Sequence, residues 1–404
     1  DEILAAVGAR GDAALLDYTA RLDGFAPAAA TGLAIAPAEL DAAERAVGPE
    51  ARAALAYAAE RIERYHAAAA PKSWRMTDEH GSVLGQEVRP LDRVGIYVPG
   101  GRAAYPSTVL MTAVPARVAG VREIVLVTPP GPGGRVEPAV LAAARIAGVT
   151  EGWRVGGAQA VAALAYGTAT IRRVDKIVGP GNIYVALAKA RVFGEVGIDM
   201  VAGPSEVVVV ADGAADPGWV AGDLLAQAEH DPMARAVLIT DSGELIPRVA
   251  AALERQLAAL PRRAIAAQAL EANGALVRVA SLDDAVELAN RLAPEHLELM
   301  VKVPAALLAR VRHAGAVFMG GHTPEVVGDY VAGPNHVLPT AGTARFASPL
   351  GTEDFVKRSS VIEYSPSGLA SALPHLRALS RIEGLGGHGR AAELRLETDG
   401  GTSG

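Results

Sequence analysis

Cysteine is absent from this chain of 404 residues. Its absence excludes disulfide bonds, thiolate metal ligands and a thiol nucleophile, whatever the cellular compartment. A metal ion would therefore have to be held by histidine, carboxylate or amide groups. Any oxidation of an aldehyde would have to proceed without a thiohemiacetal intermediate.

An excess of positive charge and long apolar runs are also missing. The net charge is -7 and no patch of lysine and arginine stands out, which argues against binding to nucleic acid or to an anionic membrane. The longest apolar stretches, such as 201–211, are interrupted by Gly, Pro, Ser or Glu and are shorter than the ~18 residues of a membrane span. We expect a soluble, cytoplasmic protein, with further residues upstream of Asp1 because Met is missing there.

The arrangement of apolar residues predicts an α/β fold. The chain is 50% apolar and exceeds the ~250–300 residues at which a single core stops growing, so we expect at least two domains. The first 70 residues show helical spacing, and from residue 94 short apolar runs alternate with helical stretches, a pattern typical of βαβ units and parallel sheets. The predicted strands are 94–98, 123–127, 155, 176–178, 206–211, 236–240, 275–279, 297–301, 316–319 and 360–364.

Glycine follows three of the predicted strands. The loops are Pro99-Gly100-Gly101, Gly156-Gly157-Ala158-Gln159 and Gly179-Pro180-Gly181-Asn182. Ligands of parallel sheets bind beyond the carboxyl ends of the strands, where glycine lets backbone amides approach a phosphate. The dinucleotide fingerprint G-x-G-x-x-G is not satisfied, because the segment 131–136 has Val at the third glycine position, and we interpret that segment as a turn.

The segment 223–232 lies between two predicted strands and is predicted to form a helix. On that helix Gln227 and His230 are three residues apart and share a face, a spacing that can hold one metal ion. A solvated helix face is the alternative interpretation of the same pair. Further along, Asp329 and His336 lie in a Gly/Pro-rich loop, where a carboxylate could complete an N/O coordination sphere, with His388 as another ligand; such ligands suit Zn²⁺ or Mn²⁺.

An acid and an imidazole stand side by side in Pro294-Glu295-His296, just before an apolar predicted strand. Neighbouring residues of an extended segment point to opposite sides, so the two groups could serve different steps of general acid-base catalysis. A loop with two polar residues is the alternative interpretation.

Together these residues closely resemble the histidinol dehydrogenase family, and the similarity covers nearly the whole chain. The matching segments are Tyr97-Val-Pro-Gly-Gly, Gly-Gly-Ala-Gln159-Ala, Gly-Pro-Gly-Asn182, Ala-Gly-Pro-Ser205-Glu, Gln227-Ala-Glu-His230, Pro-Glu295-His296-Leu, Gly-Asp329-Tyr, Asn-His336-Val-Leu-Pro and the closing His388. So many separated matches in one order make the resemblance specific.

The resemblance implies a zinc- and NAD-dependent enzyme that oxidises L-histidinol through L-histidinal to L-histidine, the final step of histidine biosynthesis, with two NAD. It implies one zinc ion per subunit, bound by Gln227, His230, Asp329 and, from the other subunit, His388. The active form would then be an intertwined homodimer. The implied substrate contacts are Ser205, Gln227, His230, Glu295, Asp329, His336, Glu383 and His388, and the implied NAD contacts are Tyr97, Gln159 and Asn182.

In the implied mechanism His296 removes the alcohol proton as hydride leaves, and Glu295 activates the water that attacks the aldehyde. The expected architecture is two incomplete Rossmann-like domains with parallel sheets. A larger domain would span 1–92 and 206–345, an inserted NAD-binding domain 93–205, and residues 346–404 would cross to the partner. The alternatives are a related dehydrogenase acting on another small alcohol such as a sulfonated diol, a zinc hydrolase, and a non-catalytic binding protein.

Overall fold

The computed structural model describes residues 1–100 and 104–397. Gly101 of the first glycine loop and the predicted polar tail 398–404 lie outside the described residues. The chain forms two compact units, one of Asp1–Ala70 with Leu91–Phe355 and one of Pro71–Pro90 with Val356–Gly404.

The secondary structure is mixed, as the alternating pattern predicts. The strands are β1 Ala34–Ile35, β2 Trp74–Thr77, β3 Val83–Pro90, β4 Arg93–Tyr97, β5 Glu123–Thr128, β6 Glu151–Arg154, β7 Lys176–Val178, β8 Gly197–Ile198, β9 Glu206–Ala211, β10 Arg235–Thr240, β11 Ala275–Arg278, β12 His296–Met300, β13 Ala316–Met319 and β14 Val356–Glu363. The helices are α1 Glu2–Arg10, α2 Asp12–Tyr18, α3 Pro37–Ala46, α4 Gly48–Ala69, α5 Pro106–Ala119, α6 Pro138–Ala147, α7 Gly157–Tyr166, α8 Ile183–Val192, α9 Pro217–Ala228, α10 Leu245–Ala259, α11 Arg263–Asn273, α12 Leu282–Leu292, α13 Pro304–Leu308, α14 Glu325–Tyr330, α15 Pro366–Ile382 and α16 Gly386–Glu397.

The first sheet of the large unit has the order β1-β6-β5-β4-β7-β8. All neighbours pair in parallel except β1, which pairs antiparallel with β6. One face of this sheet packs against α3, α4, α5 and α6, and the other packs against α1, α2, α7 and α8. The strands are buried on both faces, which explains why β4 and β5 are nearly continuous apolar runs.

The second sheet, also in the large unit, is wholly parallel with the order β11-β10-β9-β12-β13. Alternate residues of β9 enter separate cores: Val207 and Val209 pack with α9 and α10, whereas Val208 and Val210 pack with α12. Helices therefore cover both faces of this sheet as well, and the prediction of an α/β fold with parallel sheets is confirmed.

The helices of the first 70 residues belong to the core of the first sheet. Val7 and Leu15 pack with β5 and α7, and Leu40 and Ile62 pack with β4 and α5. The predicted domain division had grouped these helices with the second sheet. The division into domains stays a prediction and is taken up again below as a proposal.

The second unit contains the antiparallel sheet β14-β3-β2 and the helices α15 and α16. Strands β2 and β3 and helix α16 are absent from the sequence prediction, and β14 begins earlier than predicted. The hydroxyl of Ser365 caps α15 by accepting from the Gly368 N–H at 2.9 Å. Among the described residues, no helix of the protein is both long and apolar enough to cross a membrane.

Candidate active site

Glu295 and His296 lie at the amino end of β12, beside the amino end of β9. The two strands pair in parallel, with His296 opposite Val207. The backbone N–H of Glu206 donates to Glu295 Oε2 at 2.9 Å, and His296 Nδ1 lies 3.1 Å from the carbonyl oxygen of Glu206. The backbone of one residue of β9, Glu206, thus orients both side chains, and His296 Nδ1 is only 3.7 Å from Glu295 Oε2.

Burial sets the protonation of this pair. Glu295 and His296 are about 5% and 4% exposed. Burial lowers the pKa of His296 to about 4, so the imidazole is neutral near pH 7. Burial raises the pKa of Glu295 well above its ordinary value; the Asp329 and Glu206 carboxylates raise it further, while hydrogen bonds from Glu206 N–H and Ser205 lower it. A neutral imidazole and a carboxyl with a raised pKa are groups suited to proton transfer near neutrality.

Gln227 and His230 come together, but on a different local structure from the predicted one. Helix α9 ends at Ala228, and His230 lies in the turn that follows. Pro232, two residues later, disfavours a continued helix. The His230 N–H nevertheless donates to the Gln227 carbonyl oxygen at 3.2 Å, and His230 Nδ1 lies 3.4 Å from the side-chain amide of Gln227. Gln227 is fully buried, whereas His230 is exposed.

Asp329 lies on the short helix α14, one turn after Glu325. Donor atoms of His296, Glu325 and Asp329 all lie within 4.8 Å of one another, close enough for a single cation. Glu325 was missed in the sequence, where it follows Pro324 without a second polar residue to mark it. It is about 1% exposed, and only its contacts with distant segments reveal it.

Two further buried carboxyl groups, those of Glu298 and Asp223, lie next to Glu325. Glu298 lies two residues after His296 on the same face of β12, and its Oε1 accepts from the Glu325 N–H at 3.0 Å. Burial, and the nearby Asp223 on α9, raise the pKa of Glu298 to about 9. One carboxyl of this pair therefore keeps its proton at neutral pH, because two buried like charges at close range are costly.

Ser205 and His336 also reach the site. Ser205 precedes β9 and hydrogen-bonds to Glu295. His336 lies in the loop after α14, where its charge interacts with those of Asp329 and His230, and burial lowers its pKa. The predicted residues Ser205, Gln227, His230, Glu295, His296, Asp329 and His336 are therefore all brought to one region of the large unit. Glu383 directly follows α15 and His388 lies in the first turn of α16 in the second unit, and both are exposed there.

The described residues of the three glycine loops lie at the carboxyl ends of strands of the first sheet, as predicted. Tyr97, the last residue of β4, is buried, and its hydroxyl accepts from the Gly157 N–H at 3.0 Å. Burial raises the pKa of Tyr97 to about 12. Gly179 has φ 108°, and a Cβ there would lie 2.2 Å from the Tyr97 carbonyl oxygen, so no other residue fits. This packing joins the ends of β4, β6 and β7.

Gln159 and Asn182 shape the same loops. The Gln159 amide donates to Asp23 Oδ2 at 3.1 Å, and its Oε1 is buried without a hydrogen-bond partner among the described residues. Asn182 caps α8, with Oδ1 accepting from the N–H groups of Tyr184 and Val185. Asp23 comes from a π-helical turn near the start of the chain and was missed in the sequence, which gives no sign that it reaches this loop.

A cavity of about 500 Å³ borders the site. It lies among α4, α5, α14 and the turn after α9, with Leu55, Tyr105, Leu110, Arg262 and Tyr330 in its wall. Of the predicted site residues, His230 lines it. The cavity is large enough for a small polar molecule that approaches His230 from this side.

A family model described as histidinol dehydrogenase matches residues 1–396. The chain belongs to the histidinol dehydrogenase family. A histidinol dehydrogenase of Chromobacterium violaceum is 57% identical over 98% of this chain and 91% of its own length. One of Pseudomonas syringae pv. syringae is 54% identical over 98% and 88%. The crystal structure of histidinol dehydrogenase from Elizabethkingia anophelis superposes with a TM-score of 0.95 at 36% identity, covering 98% of this chain and 91% of that one.

Membership of the histidinol dehydrogenase family confirms the resemblance found in the sequence. The chain is accordingly an NAD-dependent oxidoreductase that acts on a CH–OH group. A different small alcohol as substrate, or a zinc hydrolase, is not favoured by relatives of this identity and coverage.

Proposed function

We propose that the protein oxidises L-histidinol through L-histidinal to L-histidine with two NAD, as the final step of histidine biosynthesis. The observation that carries this proposal is the pairing of a neutral buried imidazole, His296, with a buried carboxyl, Glu295, both held by the backbone of Glu206. A four-electron oxidation needs a base for the alcohol proton and a group that activates water, and a chain without cysteine must use such groups.

His296 is suited to accept the alcohol proton. In the tautomer with its hydrogen on Nδ1, that hydrogen is donated to the Glu206 carbonyl oxygen at 3.1 Å, and Nε2 has a free lone pair for the alcohol proton. Because its pKa is lowered to about 4, this base is not blocked by a proton near neutrality.

Glu295 is suited to take a proton from the water that attacks the aldehyde. Its raised pKa makes the carboxylate a stronger base than an exposed glutamate once it is ionised. The Glu206 N–H holds one of its oxygens, so the carboxylate has a fixed orientation relative to His296.

We assign the metal as zinc, one ion per subunit, held by Gln227, His230, Asp329 and His388 of the partner subunit. The fit is supported by the approach of the Gln227 amide to His230 Nδ1 at 3.4 Å and by the chemistry of an N/O donor set without thiolate. When bound, zinc would polarise and orient the substrate. Ser205, His336 and Glu383 would complete the polar contacts to the substrate, together with the metal ligands and Glu295.

NAD would bind along the glycine loops of the first sheet, with Tyr97, Gln159 and Asn182 as contacts. Support comes from the position of these loops at carboxyl ends of parallel strands, next to the amino end of the ten-residue helix α7. NAD bound there would supply the hydride acceptor. The chain itself would contribute loops whose glycines let backbone N–H groups come close to a phosphate of NAD.

The remaining proposals concern assembly. We propose two incomplete Rossmann-like domains, with 93–205 inserted as the NAD-binding domain into a larger domain of 1–92 and 206–345, and with 346–404 exchanged in an intertwined homodimer. The second unit exposes the apolar side chains of Ile362, Leu379 and Ile382. This exposure supports the proposal that a partner subunit covers the surface. A cytoplasmic location is part of the same proposal.

Hybrid dimers test the shared site. Asp329→Ala and His388→Ala chains should each be inactive as homodimers. Co-expression gives hybrid dimers with one chain of each variant. If His388 binds the partner's metal, one site of the hybrid carries both substitutions and the other carries neither, so the hybrid should be active. An inactive hybrid would contradict the exchange of the C-terminal segment.

The stoichiometry of the reaction tests the function itself. Limiting L-histidinol, excess NAD and added Zn²⁺ should give two NADH per histidinol, counted by absorbance at completion. One NADH would mean that oxidation stops at the aldehyde and that the role of Glu295 is wrong. No NADH from a folded, zinc-loaded protein would overturn the assignment of histidinol as substrate.

A further inference from the structure

The side-chain amide of Gln227 has different neighbours on its two sides. One side of the amide faces the carboxylate of Glu325 and, at 3.3 Å, Nδ1 of His296, and the other side faces Nδ1 of His230 at 3.4 Å. Gln227 is fully buried, so water cannot satisfy either side of the amide. Which atom of the amide faces which neighbour therefore matters for any ion that binds next to His230.

The neighbours decide the orientation of the amide. A carboxylate only accepts hydrogen bonds, so the amide nitrogen of Gln227 faces Glu325, with Nε2 at 3.0 and 3.2 Å from its two oxygens. The amide oxygen then faces His230 Nδ1. With the opposite orientation, the oxygen would lie against two carboxylate oxygens and the nitrogen would face the imidazole.

Glu325 is itself held in place. It is about 1% exposed and begins α14, and its backbone N–H donates to Glu298 Oε1 at 3.0 Å. Glu298 extends from β12, an inner strand of the sheet. The carboxylate that contacts Gln227 is thus anchored to the rigid core of the second sheet rather than to a loop.

We propose that Glu325 is a positioning residue that holds the Gln227 amide with its oxygen toward the metal site. The inference rests on the proposed function in one respect, that Gln227 and His230 are metal ligands. An amide oxygen has lone pairs for a cation, whereas an amide nitrogen carries hydrogens and repels it. Carboxylates that orient ligands in this way commonly change metal affinity when they are removed.

The first test measures zinc affinity rather than turnover. In Glu325→Gln the new carboxamide can donate or accept, so either orientation of the Gln227 amide is satisfied and the preference is lost. We expect zinc affinity to fall about 10- to 100-fold in competition titrations of the full-length apoprotein against a chromogenic chelator. An unchanged affinity would overturn the proposal.

A reversed pair makes the test sharper. In the Gln227→Glu background the ligand is a carboxylate, and Glu325 would face it as a second carboxylate. Adding Glu325→Gln to that background places an amide donor behind the carboxylate and should therefore increase zinc affinity, the opposite of its effect in the unchanged chain. A decrease of the same size in both backgrounds would contradict a positioning role.

Glu298→Gln is the matched control. It removes a neighbouring buried carboxyl, keeps an acceptor for the Glu325 N–H, and does not touch the Gln227 amide. Its zinc affinity should stay within about threefold of the unchanged chain; a loss as large as that of Glu325→Gln would indicate a general packing effect and overturn the proposal. If the unchanged chain binds no zinc, the proposed metal site itself fails, an outcome distinct from equal binding by the unchanged chain and Glu325→Gln.

Discussion

Lys189 and Asp199 form an ion pair with side chains only 2% and 1% exposed. Both residues bind the same glycine: Lys189 Nζ donates to the Gly179 carbonyl oxygen at 2.9 Å, and Asp199 Oδ2 accepts from the Gly179 N–H at 2.7 Å. The two backbone groups of Gly179 are thus fixed by opposite charges. This pair holds the loop after β7 in the left-handed conformation that brings it against Tyr97.

Breaking this pair should weaken NAD binding more than turnover. Asp199→Asn leaves a buried lysine without its counter-charge, which typically costs about 3–5 kcal/mol of the free energy of unfolding. It also loosens the loop that carries Asn182. We expect KM for NAD to rise about tenfold, with a smaller change in kcat, in initial-rate measurements under conditions where the variant is folded.

A buried arginine with two glutamate partners provides the control. Arg93 is 7% exposed and pairs with Glu123 and Glu151 at the opposite end of the same sheet. Arg93→Met should also lower the stability of the protein, but KM for NAD should stay unchanged. If both variants raise KM for NAD equally, the effect of Asp199→Asn comes from general loss of stability and not from the loop.

The order of strands and helices in the large unit follows from the sequence, because apolar runs bounded by glycine have a local signature. Strand β6 was predicted only at Val155, and it ends one residue earlier, before the two glycines of the next loop. Strands β2 and β3 were missed because their residues are partly or wholly exposed, so they carry no apolar run. Helix α16 was missed because glycines begin it.

The site residues could be predicted where they stand in motifs, as Glu295 and His296 do. Asp23 and Glu325 could not, because each acts through a contact with a segment far away in the chain. The side chain of Asp23 reaches the loop before α7, and that of Glu325 reaches the end of α9. No spacing rule connects such pairs, so only the folded chain identifies them.

Tyr97→Phe should show how much the glycine loop depends on a single hydroxyl group. The change removes the acceptor of the half-buried Gly157 N–H, at a cost of about 1 kcal/mol in the free energy of unfolding. We also expect a several-fold rise in KM for NAD. Because the pKa of Tyr97 is raised to about 12, the size of the effect should not change between pH 6 and 9.

Tyr18→Phe is the comparison for that variant. It also loses a tyrosine hydrogen bond, but its hydroxyl donates to Glu2 and not to a glycine loop. KM for NAD should not change in Tyr18→Phe. Equal values of KM in the two variants would remove Tyr97 from the cofactor site.

Glu295→Gln should separate the two oxidations. The amide keeps an acceptor for the Glu206 N–H but has no basicity, so oxidation of L-histidinal should fall about 10²- to 10⁴-fold. Release of the first NADH equivalent from L-histidinol, measured in a single turnover, should fall much less, because His296 serves that step. Equal losses in both measurements would contradict the division of roles.

The same variant should not lose stability. Burial raises the pKa of Glu295, so the ionised form is costly in the folded state, and a neutral side chain of the same shape avoids that cost. The thermal unfolding midpoint of Glu295→Gln at pH 8 should therefore equal or exceed that of the unchanged chain. A lower midpoint would show that the carboxylate contributes to the fold.

Glu298 should make the protein less stable as pH rises. Its pKa is raised from 4.5 to about 9 in the folded chain, by burial first and by Asp223 second. Between these values the folded state binds a proton that the unfolded state releases, so the free energy of unfolding decreases with increasing pH, by up to about 1.4 kcal/mol per pH unit for one proton.

The Glu298→Gln side chain cannot titrate, and the free energy of unfolding of this variant should fall less between pH 6 and 9 in urea unfolding experiments. Glu60→Gln, an exposed change, should follow the unchanged chain. Parallel curves for Glu298→Gln and the unchanged chain would mean that Glu298 releases its proton at the same pH in both states, and that the pair with Asp223 does not hold a proton at neutral pH.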